Sequence, residues 1–172
     1  MGIVYLADKM GVSVADITTG DFLVTEVSTD RALFDEINKF SPAEVICNDA
    51  FSMSGISLED LKDRYHFTVS ALDSHFFQDD SCRRVLREHF KVGSLEGLGL
   101  GDYDCGVIAA GAVLQYLYET QKSTLDHLTT IVPYATGNYM VLDSSTRRNL
   151  ELLETMREKQ KRGSLLWVLD KT

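Results

Sequence analysis

Residues 3 to 27, IVYLADKMGVSVADITTGDFLVTEV, constrain the fold most, because β-branched apolar runs alternate there with points of tight reversal. The run IVYLA is apolar without interruption, the pattern of a central strand covered on both faces. Gly11 marks a turn into a second strand carrying Val12, Val14 and Ile17. In TTGD, Gly20 is free to take positive φ and reverse the chain again, and Phe22 and Val24 then alternate with Leu23 and Thr25. Three antiparallel strands therefore open the chain.

The next segments alternate helix and strand. Ser28 or Thr29 is placed to cap a helix whose Leu33, Ile37 and Phe40 recur at helical spacing, and Pro42 stops it. AEVICN reads as a fourth strand, Ser57 caps LEDLKDRY, and FTVSAL supplies a fifth strand. The order βββαβαβ predicts an α/β fold of the ribonuclease H-like kind, a mixed sheet with flanking helices followed by a helical extension. In that extension HFFQDDSCRRVLREHF carries Phe77, Val85, Leu86 and Phe90 as core contacts. After the glycines of GSLEGLGLGD, Asp102 is placed to cap a long helix with Val107, Ala110, Gly111, Leu114, Leu117 and Tyr118 on one stripe. The small residues of IAAGA let another backbone come close. TTIVPYATGNYMVL is extended around Pro133 and Gly137, and Asp143 or Ser144 caps a last helix, STRRNLELLETMREKQK, whose apolar strip of Leu150, Leu153 and Met156 is narrow. GSLLWVLDKT follows as an apolar run with no stop signal, as in a piece cut from a longer chain.

Composition removes several function classes. With 17 basic against 26 acidic residues the net charge is -9, a field that repels phosphate backbones unless basic side chains cluster locally. Two clusters do so, Arg83, Arg84, Arg87 and Lys91 in one and Arg157, Lys159, Lys161 and Arg162 in the other, each interleaved with glutamate and read as a solvated helix face. Cys47, Cys82 and Cys105 are widely spaced and form no CxxC pair, which predicts buried small hydrophobes and neither disulfides nor zinc. His66, His75, His89 and His127 have no metal-ligand spacing, and no nucleotide-binding glycine motif or nucleophile elbow is present. With no apolar run of the roughly 18 to 20 residues that span a bilayer and no secretory signal, a cytoplasmic location is expected.

Enzymes on a ribonuclease H-like fold commonly hold two metal ions between carboxylates at strand ends and at the start of a later helix. Asp8, Asp49 and Asp102 or Asp104 are the residues this sequence offers, so a metal-dependent nuclease is one reading. Each also has an ordinary use, in a turn, in a loop and at a helix start.

YLADKMGVSVADITTGDF, SPAEVI, AAGAVLQYLYETQKSTLDHL, YMVLDSSTRRNLELLET and GSLLWVLDKT, in this order, resemble the MutS family of DNA mismatch-repair proteins. The likeness covers the chain from its second residue to its last. It implies a non-catalytic connector domain with a ribonuclease H-like fold over residues 1 to 122, then a connection into, and the first helix of, a helical core over residues 123 to 172. No Phe-x-Glu mismatch-reading motif stands in a suitable N-terminal domain and no Walker A sequence is present, so no catalytic, cofactor-binding or metal residue carries over. In the parent that the resemblance implies, a homodimeric ATPase, ATP and Mg²⁺ and mismatched DNA are bound by other domains. For the connector the resemblance implies adaptor work and docking of MutL, with Arg83, Arg84 and Arg87 as the outward residues of that surface.

Overall fold

The computed structural model describes residues 1–121, 125–136 and 144–170. They fall into two compact units, Met1–Thr136 and Gly137–Thr172.

The first unit opens with β1 (Gly2–Leu6), β2 (Lys9–Asp16) and β3 (Asp21–Val27), an antiparallel meander. Its first reversal is not at Gly11. Leu6 pairs with Lys9 across Ala7 and Asp8, which both take positive φ, 47° and 68°. That is the two-residue hairpin turn whose twist suits its strands, and an Asp tolerates it. Gly11 lies inside β2, where the backbone of a later helix comes so close that a Cβ would stand 2.1 Å from the Cys105 carbonyl oxygen. The second reversal is as expected, with Gly20 at φ 82°.

Helix α1 (Asp30–Phe40) starts at Thr29, whose hydroxyl accepts the Ala32 N–H, and ends with Ser41 in the left-handed region just before Pro42. It leads to β4 (Glu44–Cys47), the short helix α2 (Asp49–Ser52), α3 (Leu58–Tyr65) capped by Ser57, and β5 (Thr68–Ala71). β4 runs parallel to β1, and β5 parallel to β4. The order βββαβαβ is thus present, with α2 as one added turn of helix. After a 3-10 turn at Ser74–Phe77 come α4 (Asp79–Phe90) and α5 (Cys105–Thr120). A two-residue strand, β6 (Val132–Pro133), then pairs with β3 in parallel and completes the sheet order β5-β4-β1-β2-β3-β6.

The period of two along the strands sorts side chains between two cores. Ile3, Met10, Val12 and Val45 pack with Leu33 and Ile37 of α1, Phe51 of α2 and Leu61 of α3. On the other face Phe22, Val24 and Ile46 pack with Leu86 of α4 and with Val107, Ala110 and Leu114 of α5. Helix α5 is buried on every side from Cys105 to Leu114, because the sheet covers one flank and α4 another. The expected stripe therefore understates its burial, and it overreaches at Tyr118, which is 49% exposed.

In the second unit the long charged helix does not form. Helix α6 (Ser144–Asn149) stops after six residues, Glu151 takes φ 48° and Lys159 φ 47°, and α7 (Leu165–Leu169) follows under a Ser164 cap. The chain folds back on itself, with the Leu165 and Leu166 N–H groups donating to the Glu151 and Leu152 carbonyls at 2.9 and 3.0 Å. A helix with so narrow an apolar strip gains little by continuing, and turn hydrogen bonds compete. Leu150, Leu153, Met156, Leu165, Leu166, Val168 and Leu169 are all about half exposed. The expected bend at Gly137 and the cap at Asp143 lie outside the described residues.

Candidate functional site

The parallel pairing of β1 and β4 brings their C-terminal ends to one edge of the sheet, with the start of α5 packed there. Asp8, Asp49, Asp102 and Asp104 all fall at this end. Asp8 sits in the β1–β2 turn and accepts a long hydrogen bond, 3.4 Å, from the Tyr5 hydroxyl. Asp49 is the exposed first residue of α2. The neighbour that works here is Asn48: its Oδ1 accepts the Tyr5 and Phe51 N–H groups at 3.0 and 3.2 Å, and its Nδ2 donates to the Tyr5 carbonyl at 3.0 Å. One side chain thus prolongs the β1–β4 pairing and caps α2, which an amide, being donor and acceptor together, does and a carboxylate does not.

Asp102 does not cap α5. The helix starts after Asp104, whose own carboxylate makes no cap and instead accepts from Arg83 Nη2 at 3.0 Å. The first turn of α5 is served from the sheet, where Glu26 Oε1 accepts the Gly106 N–H at 2.9 Å while Lys9 stands 3.8 Å from the same carboxylate. A carboxylate at a helix N-terminus is held by both the orphan donors and the dipole. Glu26 was legible in principle, since alternation puts it on the same face of β3 as Phe22 and Val24. Among the described residues no three His, Cys, Asp or Glu side chains gather so as to hold a metal ion. The four aspartates serve turns, helix starts and an ion pair, and the nuclease reading has no constellation to stand on among these residues.

The arginines of α4 divide by exposure. Arg83 is half-buried, with Nε on both carboxylate oxygens of Asp79 at 2.8 and 2.9 Å and Nη2 on Asp104, so it ties α4 to the start of α5. Those carboxylates hold its guanidinium charge even more firmly than usual. Arg84 and Arg87 are exposed, as is Lys91, the left-handed C-cap. Spacings of three and four residues set these three on one face of the helix. None of the three belongs to an ion pair among the described residues. The second basic cluster, Arg157, Lys159, Lys161 and Arg162, is exposed in the turns of the second unit and not on a helix.

All three cysteines are buried thiols, as their spacing predicted. Burial pushes the Cys82 thiol up to about 12, and the nearby Asp79 carboxylate adds to the shift. His89 is structural, its ring nitrogens 2.6 Å from the Tyr118 hydroxyl and 2.7 Å from the Leu128 carbonyl. Among the described residues no helix is long and apolar enough to cross a membrane.

The family model for MutS domain II matches residues 3–129. The DNA mismatch repair protein MutS of Lachnoclostridium phytofermentans is 58% identical over the whole chain, which spans 18% of that protein. Those of Ruminiclostridium cellulolyticum and Protochlamydia amoebophila are 44% and 34% identical over 94% and 99% of the chain, which spans 19% and 20% of their lengths. The chain therefore matches about a fifth of the length of its curated relatives, and it belongs to the MutS family of DNA mismatch-repair proteins, with residues 3–129 matching domain II.

Proposed function

We propose that this chain is the non-catalytic connector of a cytoplasmic mismatch-repair ATPase, linking mismatch recognition to the core and ATPase, and that the exposed face of α4 docks MutL. Membership in the family at domain II carries the reading. Residues 1 to 122 are assigned to the connector and 123 to 172 to the passage into the helical core. ATP, Mg²⁺ and mismatched DNA are assigned to other parts of a homodimeric parent.

The docking face is Arg84 and Arg87, with Arg83 contributing the part of its side chain left outside its ion pairs. Two exposed guanidinium groups with no carboxylate partner among the described residues are free to meet one across an interface, and they stand out on a chain of net charge -9. In the full-length protein, Arg84→Glu with Arg87→Glu is expected to cut ATP-dependent recruitment of MutL to mismatched DNA at least tenfold, since each reversed charge costs about 1 kcal/mol or more at an interface. Mismatch binding measured on the same protein stays as it was. Full recruitment by the double variant would refute the assignment of this face.

A further inference from the structure

We propose that residues 132–136 form a strap along the outer edge of β3, closed by a clasp at Tyr134 and able to open as a unit while the rest of the domain stays folded.

The chain reaches the strap from inside the molecule. Leu128, its carbonyl bonded to His89, and Ile131 are buried, at 1% and 5% exposure. Beyond them only Val132 and Pro133 pair with β3, opposite Leu23 and Val24. Val132 is half exposed, and Pro133 has no N–H to give the ladder. That pairing is too short to hold a strand by itself.

Tyr134 makes up the difference through three separate groups. Its N–H donates to the Val24 carbonyl at 3.0 Å, its carbonyl accepts from the Thr25 hydroxyl at 2.7 Å, and its own hydroxyl donates to Glu36 Oε2 at 2.5 Å. Glu36 lies on α1 and is 6% exposed, so this is a charge-assisted bond to a carboxylate largely removed from water. Lys39 completes the clasp, 3.4 Å from the same oxygen and 4.4 Å from the centre of the Tyr134 ring, with the Phe40 ring edge-on at 6.3 Å. Residues 98 apart in sequence are joined at the last stretch of the first unit, which ends at Thr136. The clasp thereby sets where the chain leaves the sheet, and it ties that exit to α1 as well as to β3.

The test is hydrogen exchange on the 172-residue chain, comparing the parent sequence with Tyr134→Phe and Glu36→Gln. Tyr134→Phe keeps the ring and its packing and removes only the hydroxyl. It is expected to speed exchange of the residue-134 amide and its strap neighbours about tenfold or more, with amides of β1 and α5 unchanged. Glu36→Gln keeps an oxygen that accepts the tyrosine hydroxyl, and exchange in the strap is expected to rise less than with Tyr134→Phe. Unchanged exchange at residue 134 in Tyr134→Phe would overturn the proposal, and so would an equal rise across β1, α5 and the strap, since the hydroxyl would then support the whole fold and not a strap.

Discussion

Gly111→Ala sets two known effects against each other, and the geometry decides the sign. Gly111 lies in the middle of α5, where alanine is favoured over glycine by about 1 kcal/mol through helix propensity. A methyl group there would stand 2.3 Å from Cys82 Cβ, 2.5 Å from its Cα and 2.9 Å from its carbonyl oxygen. Carbon atoms rest at about 3.5 to 4.0 Å, so α4 and α5 would have to part by roughly 1 Å. The atoms in the way belong to the backbone and the root of a fully buried side chain, which no rotamer change clears. Overpacking costs about 1 to 3 kcal/mol when side chains are free to adjust, and the upper end applies where they are not. Net of the propensity gain, a loss of about 2 kcal/mol is expected. For a unit of this size that lowers Tm by about 6 to 8 °C. Scanning calorimetry with urea titration checks it, with Gly93→Ala as control, since no atom lies within 4 Å of a Cβ at Gly93. A second arm is specific to the geometry: Cys82→Ala keeps Cβ, Cα and the carbonyl, so it gives Gly111→Ala no relief. A Gly111→Ala protein as stable as its parent would refute the reasoning, because propensity would then outweigh a close approach that α4 could relieve by shifting.

Two further outcomes follow from the titrating groups. The Thr18 hydroxyl and N–H both donate to Asp16 Oδ1, which holds this exposed carboxyl below its ordinary range. A depressed folded pKa contributes stability above the unfolded value that is lost as pH falls through the folded one, so Thr18→Val is expected to raise the Asp16 midpoint in an NMR titration, and an unmoved midpoint would remove the hydroxyl as the cause. Burial raises the thiol pKa of Cys47, Cys82 and Cys105, so at pH 8 a disulfide reagent is expected to leave the native protein unmodified within minutes and to titrate all three thiols in guanidinium; rapid labelling of the folded chain would contradict their placement.

What could be read from the sequence was set by short-range patterns. Alternation in FLVTEV and the unbroken apolar run IVYLA announced strands, although β3 is covered on both faces, with Phe22 and Val24 buried on one and Thr25 and Val27 on the other. Thr29, Pro42 and Ser57 announced helix ends, because each acts within three or four residues of itself. Contacts made across the fold were misjudged. Gly11 looks like a turn residue, yet it is there because Cys105 passes over it, 94 positions later. Asp102 looks like a cap, yet Glu26 from β3 serves the helix. Tyr134 lies in a segment that looked merely extended, and its partners on β3 and α1 become neighbours only once the sheet has formed. The charged helix after Ser144 failed for a different reason. Its i, i+3 pattern was real, but a pattern states what a helix could bury and not whether anything is there to bury it against.

Among the described residues, the carboxylates at the C-terminal edge of the sheet do not gather into a group that could hold a metal ion. Strand ends, hairpin turns and helix starts are where backbone N–H groups are left without partners, so acidic side chains collect there for reasons unrelated to catalysis. A metal site additionally needs those side chains to converge with their charges unspent. Here Asp104 is spent on Arg83 and Glu26 on the start of α5, and both bonds serve to fix helices to one another or to the sheet. The close approaches at Gly2, Gly11 and Gly111, where a Cβ would stand 2.1 to 2.6 Å from its nearest neighbour, act in the same direction. Interiors packed this tightly transmit displacement and do not absorb it. That is the property the connector role proposed above would draw on, because a movement received at one side of the domain reaches the other only if the sheet and α5 shift together. Of the four aspartates at this edge, Asp104 is the one held in an ion pair among the described residues, and that bond fastens α4 to the start of α5.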